Sequence, residues 1–273
     1  MGLGDVYKRQ GLHAPVSIVY DERLVPHIFA SNEEDAVMTQ GYLHAKYRLW
    51  QMDITARQSA GRLSEIFGQR LLANDQRMRR MGLSNTASLY ATNWKKCEEY
   101  NLIENYVKGI NFFIEGLKYA EYPLEFKLFN YMPEPWSVEK TALVVMSMNL
   151  MLCGRNEDLM ATNALNYLGQ EKFKFLFPRW NPNQSPVIPK GTVWSIKKSL
   201  QDLDTNPSIG YFTEEMINDY PRSIGSNNWA VSAEKTEDGN PILCNDPHLS
   251  LTLPSIWYEM QMKTDTYNAY GVS

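Results

Sequence analysis

IGSNNWAVSAEKTEDGNPILCNDPHLS, residues Ile224 to Ser250, is the stretch on which the reading of this chain turns. Asn228 to Ala233 alternates in the manner of a strand, Asp238-Gly239 supplies turn chemistry, and Pro241 to Asn245 returns, so the segment reads as a β-hairpin. A two-residue turn centred on Asp238 and Gly239 places Ser226 opposite a position near 251 and Trp229 opposite His248. Ser226 and His248 are then neighbours at one end of the pair. A serine before a strand is ordinarily a polar residue in a turn, and Asp-Pro-His at a strand end is ordinarily a bend.

The rest of the chain limits what such a hairpin can belong to. Its 273 residues are 44% apolar, enough for a sizeable core. The longest apolar run, Ala142 to Cys153, already carries Ser147 and Asn149 and falls short of the roughly 18 residues needed to cross a bilayer, so no membrane span is expected. The net charge is −4 and the basic residues are scattered apart from short clusters such as Arg77, Arg79 and Arg80, which gives no footprint for nucleic acid. Three cysteines, Cys97, Cys153 and Cys244, without a C-x-x-C spacing indicate neither a disulfide framework nor a zinc site.

Upstream the period is helical. Val16 to Tyr20 and His27 to Ala30 read as short strands; Ser31 with Glu34 forms a capping-box pattern, and apolar residues from Asn32 to about Ala60 recur at three and four, with Gly61 as the stop. Further helices are expected over 84–98, 102–119, 137–152 and 158–168. Residues 178–222, with Pro182, Pro186 and Pro189 among Asn and Ser, read as a linker. A third strand alternates after the hairpin, with Ile256, Tyr258, Met260 and Met262 on one face and Trp257, Glu259, Gln261 and Lys263 on the other. MGLGDVYKRQ at the start is neither an apolar signal region nor a plausible continuation of the strand that follows, so residues 1–10 are expected to be a non-native segment; YNAYGVS stops within a strand pattern, so the chain is expected to be a piece of a longer protein.

Three features favour chemistry at the hairpin. Gly225 precedes Ser226, and a residue without a side chain leaves open the path by which a neighbouring hydroxyl attacks its carbonyl. The segment before it is linker-like, as suits a bond to be cut. No His-Ser-Asp triad is in sight to compete, because His13 sits beside the doubtful start while His27 and His44 lie in strand and helix patterns. A serine without a histidine base can use its own α-amine, whose ordinary pKa of about 7.7 to 8.0 leaves part of it neutral.

These motifs resemble the penicillin acylase family of N-terminal nucleophile hydrolases. GSNNWAVS looks like that family's cleavage and nucleophile motif, and NDPHL puts His248 at the twenty-third position counted from Ser226. PHIFASNEEDAVMTQGYLHAKYRLWQMDITARQSAGRLSEIFG is similar to the family's first long α-chain helix, and EPWSVE, Glu134 to Glu139, to its Glu-Pro-Trp turn.

The resemblance implies an α+β fold of the αββα sandwich type, with an α-chain-like helical region over 11–177, a spacer over 178–225 and the start of a β chain over 226–273. It implies a zymogen that cuts itself between Gly225 and Ser226, giving an α/β heterodimer whose Ser226 attacks the amide of a small N-acyl substrate. His248 is implied to orient the amine and hydroxyl, and Asn227 and Asn228 to support the strand start. The family's oxyanion donors lie further into the β chain than residue 273. A structural calcium is implied with Glu157 as its local ligand, although a solvated carboxylate in a first helical turn fits Glu157 equally. Met151, Leu152 and Cys153 are implied near the acyl pocket or belong simply to the core. Arg48, Trp50, Gln51 and Asp53 read as packing and a structural polar network. Relatives are exported, which implies a periplasmic or secreted protein. Two other readings stand beside this one: an acyl-homoserine lactone acylase or small-peptide amidase on the same fold, and a non-catalytic helical ligand-binding protein.

Overall fold

The structure is a computed structural model in which residues 4–7, 11–153, 157–178, 183, 191 and 225–273 are described. It divides into two compact units, residues 1–152 with 250–273, and residues 153–249. The expected spacer over 178–222 lies almost entirely outside the described residues.

The first unit is built on one helix, α1 (Glu33–Ala60). Its N-cap is Asn32 rather than Ser31: the Asn32 side chain accepts from the Asp35 amide at 2.8 Å, and Glu34 receives the Asn101 side-chain amide instead of closing a capping box. The helix ends as expected at Gly61, which adopts the left-handed conformation (φ 65°). Leu43 packs with Val16, Ile18, Ile28 and Met260 of a sheet, while Ala45, Leu49 and Ala56 pack with Ile110, Phe126, Ala142 and Met146 of other helices and with Trp136 of the loop before the helix Val138–Leu152. A helix clothed on both sides carries apolar residues around most of its circumference.

Six further helices belong to this unit: α2 (Ser64–Phe67), α3 (Leu72–Arg80), α4 (Leu83–Trp94), α5 (Tyr100–Gly116), α6 (Leu124–Leu128) and α7 (Val138–Leu152). The contact between α1 and α5 depends on two glycines. A Cβ at Gly41 would lie 2.2 Å from the Tyr106 carbonyl oxygen, and one at Gly109 would lie 1.9 Å from that of Met38. Both distances are far below contact, so only glycine permits this approach.

The sheet has strand order β1 (Gly4–Tyr7), β2 (Val16–Tyr20), β3 (Pro26–Phe29), β6 (Glu259–Lys263), β7 (Asn268–Val272). Gly4–Tyr7 pairs antiparallel with β2. β3 and β6 run parallel although more than 200 residues separate them, with Ile28 opposite Met262. The alternation read for the third strand holds in that Met260 is buried and Lys263 exposed.

A polar network closes the far end of α1. Buried Asp53 accepts from Arg57 Nε at 2.9 Å and from the Tyr131 hydroxyl at 2.8 Å. Arg57 also reaches Glu65 (2.8 Å) and Glu134 (2.7 Å), and Glu134 takes Arg62 and Lys140 besides. The hydrogen bond from Arg62, with help from Lys140, holds the Glu134 carboxyl well below its usual range. Trp136, next in the Glu-Pro-Trp turn, exchanges two hydrogen bonds with the Asn111 side chain. Arg48 lies over the Tyr258 ring, Trp50 stacks on Phe129 and Gln51 donates to the Ser255 carbonyl, all packing and structural contacts.

The second unit contains α8 (Glu157–Leu176), broken by the non-helical Gly169, and a two-stranded sheet of β4 (Ser226–Val231) and β5 (Ile242–Pro247).

Two predictions follow from the first unit. Replacing Gly109 by alanine gains about 1 kcal/mol of helix propensity but drives a methyl into the α1 backbone, so Gly109→Ala should lower unfolding stability by about 2 kcal/mol or more in urea titration. His44 is buried between the Tyr106 and Ser273 hydroxyls (2.9 and 3.1 Å), with Tyr258 and Arg48 beside it; burial, and secondarily Arg48, lower its pKa from 6.5 to about 4. Unfolded chains take up this proton near pH 6.5 and the folded one resists it. The His44 contribution is therefore complete above pH 6.5 and lost as pH falls toward 4, by about 3 kcal/mol in all. His44→Gln should flatten the pH dependence of the urea midpoint over that window, and an unchanged slope would contradict the assignment.

Candidate functional site

The β4–β5 hairpin places the candidate site residues, and its register differs from the sequence reading. Ser226 pairs with Pro247 rather than a position near 251, and Trp229 with Cys244 rather than His248. The strands are joined not by a tight Asp238-Gly239 turn but by residues 232–241, which include a 3₁₀ turn at Ala233–Lys235. That turn takes up residues on the β4 side and shifts the pairing by four. An even shift keeps every side chain on its expected face.

The corrected register brings Ser226 and His248 closer than the sequence suggested. Pro247 lacks an N–H, and the next amide, that of His248, donates to the Gly225 carbonyl oxygen at 3.2 Å and to Ser226 Oγ at 3.3 Å. One N–H therefore spans both atoms of the junction: the carbonyl that precedes the serine and the hydroxyl that follows it. Both Gly225 and Ser226 are exposed, and a Cβ built on Gly225 meets no atom within 4 Å. The junction sits at the open end of the hairpin, not inside regular structure.

The His248 imidazole has a different partner. Its Nε2 lies 2.7 Å from Asp246 Oδ2, with both side chains exposed to solvent. Asp246 was not singled out from sequence, although its spacing of two from His248 on a strand carries the signal. Asn227 pairs with Asp246 and Asn228 with Asn245, so both asparagines belong to the ladder that fixes Ser226 against Pro247.

The other candidates belong to other elements of the chain. Met151 and Leu152 end α7 in the first unit, Leu152 being exposed, and Cys153, also exposed, begins the second. Glu157 opens α8, but its side chain lies outside the described residues. Among the described residues no three or more His, Cys, Asp or Glu side chains gather as a metal ion would require, and no helix is long and apolar enough to cross a membrane.

Comparison with known proteins agrees with the motifs. The family model described as penicillin amidase matches residues 15–273. Penicillin acylase 2 proenzyme from Pseudomonas sp. (strain SE83) is 29% identical over 271 residues, which cover 96% of this chain and 34% of that protein. Acyl-homoserine lactone acylase QuiP from Pseudomonas aeruginosa is 27% identical, covering 97% of this chain and 31% of its own length. The chain thus spans about a third of the length of these relatives. A solved structure, the thermostable penicillin G acylase from Alcaligenes faecalis, superposes with a TM-score of 0.53 at 20% identity over 70% of this chain and all of that one. At that identity the likeness concerns the fold, here a mixed α+β one.

If the His248 amide closes the junction, its exchange with solvent should be about tenfold slower than that of an unprotected amide, and His248→Ala, which keeps the N–H, should leave it so. Hydrogen exchange read by NMR at residue 248 checks this, and free exchange would contradict the geometry.

Proposed function

Because the chain belongs to the penicillin amidase family, we propose that it is the nucleophile-bearing part of an amide hydrolase precursor that cuts itself between Gly225 and Ser226. The observation that carries this reading is the His248 amide bonded to both the Gly225 carbonyl oxygen and Ser226 Oγ. An N–H aimed at a carbonyl oxygen favours the negative charge that develops there on attack, typically by about 3 to 4 kcal/mol where the donor is well placed.

In the first step Ser226 Oγ adds to the Gly225 carbonyl carbon, the C–N bond breaks, and the acyl group passes to oxygen as an ester while the amine is freed. Water then hydrolyses the ester, leaving a carboxylate on Gly225 and both an α-amine and a hydroxyl on Ser226. In turnover that hydroxyl attacks the carbonyl carbon of an N-acyl substrate while the α-amine takes its proton through a bridging water; the substrate's C–N bond breaks, the nitrogen leaves as an amine carrying that proton, and a second water hydrolyses the acyl-enzyme to a carboxylate. His248 orients the amine and hydroxyl in this scheme, while Asn227 and Asn228 hold the strand start.

The same reading includes an αββα sandwich, an α chain over 11–177, a spacer over 178–225, a β chain from 226, and a mature α/β heterodimer exported to the periplasm or secreted. The oxyanion donors for turnover belong to later β-chain residues. Met151, Leu152 and Cys153 belong to the acyl side of the pocket. A calcium ion held through Glu157 is structural in this reading, and no step passes through it.

The substrate is a small N-acyl compound, either a β-lactam side-chain amide or, in a second reading favoured by the likeness to QuiP, an acyl-homoserine lactone. Intact-mass analysis of the complete precursor tests the proposal. A chain that begins at Ser226 is expected, and a single uncut chain for Ser226→Ala. An uncut wild-type protein that still binds ligand would instead make it a non-catalytic helical binding protein.

A further inference from the structure

The function proposed for Ser226 and His248 leaves unexplained why the imidazole, exposed and otherwise able to turn about its side-chain bonds, takes one direction. Its Nε2 lies 2.7 Å from Asp246 Oδ2. Residues two apart on extended backbone share a face, so an acid at 246 is in reach of the ring at 248. Pro247 stiffens the link: its ring fixes its own φ, and its Cδ pushes the preceding Asp246 toward extended backbone. The Asp246, Pro247, His248 run is thus a short rigid frame that aims a carboxylate at an imidazole.

The chemistry of the pair then decides the tautomer. An ionised carboxylate accepts hydrogen bonds and cannot donate them, so the ring nitrogen facing it carries the proton. In a neutral imidazole the other nitrogen is then bare. We infer that Asp246 is a positioning residue, which holds His248 in its Nε2–H tautomer and leaves Nδ1 as the ring's proton acceptor. In the reverse tautomer the bare nitrogen would be Nε2, facing the carboxylate, and Nδ1 would carry the proton and could not accept one. The inference rests on the catalytic reading above for its functional consequence, but not for the tautomer itself.

The two parts are tested separately. In this chain, ¹⁵N-resolved NMR of His248 at a pH where the ring is neutral should show the proton on Nε2 beyond the share that a free histidine side chain holds there, with that excess lost in Asp246→Asn, whose amide can donate as well as accept, and kept in Asp246→Glu. Both substitutions are at an exposed side chain, so the fold should survive them. In the mature enzyme from the complete precursor, with an N-acyl p-nitroanilide as probe, Asp246→Asn should lower kcat about tenfold or more with KM within about twofold. A proton on Nδ1 in the wild type, or a tautomer unmoved by Asp246→Asn, overturns the inference whether or not the precursor cuts itself. A precursor that stays uncut overturns the proposed function and leaves the tautomer standing.

Discussion

The first unit depends on backbone-to-backbone contact between α1 and α5 at Gly41 and Gly109. Neither position has room for a methyl, and that closeness lets α1 serve two cores at once, a sheet around Leu43 and a set of helices around Leu49 and Ala56. Everything else in the unit is arranged on that helix. Its N-terminus is capped by Asn32, and its C-terminal turn is tied through Arg57 to Asp53, Glu65 and Glu134. Removing one member of such a buried ionic group costs more than the group contributes as a whole, because it leaves a charge without its partner. Glu134 and Trp136 of the Glu-Pro-Trp turn, far away in sequence, are tied by hydrogen bonds to Arg57 and to Asn111.

The second unit obeys a different constraint. Its hairpin buries little: Trp229 is 53% exposed and Leu243 81%. A two-stranded pair on its own is marginal in water. What it does fix is a set of backbone atoms, because Pro247 has no N–H and the ladder's next donor, His248, falls on the Gly225 carbonyl and the Ser226 hydroxyl together. Backbone geometry thus positions the two groups that the proposed function uses as electrophile and nucleophile, while the Asp246 carboxylate faces the imidazole.

Much of this could be read from sequence, and the failures have physical causes. The long period of α1 and its Gly61 stop were legible because many residues vote for one helix. The cap was off by one since Asn32 and Ser31 are both good caps and only geometry chooses. Short helices such as Ser64–Phe67 and Leu124–Leu128 carry too few residues to show a period. The parallel pairing of β3 with β6 joins segments whose separation no local pattern bridges. At the hairpin, Asp238-Gly239 is strong turn chemistry, but the 3₁₀ turn at Ala233–Lys235 competes with it and moves the register. Ser226 and His248 remain neighbours at the open end in either register; the imidazole's partner did not emerge, since a tautomer is a property of contacts and not of motifs.

The claim on which the account rests is that Ser226 comes to bear a free amine beside a free hydroxyl. Mild periodate at neutral pH cleaves a serine only when both groups are adjacent and unblocked, converting it to a glyoxylyl group and sparing internal serines. Peptide mass analysis of the mature protein after this treatment should find the peptide beginning SNNWAV oxidised at its first residue, with hydrolytic activity lost in proportion. A peptide that runs unbroken through Gly225 and Ser226, inert to periodate in an active enzyme, would contradict it.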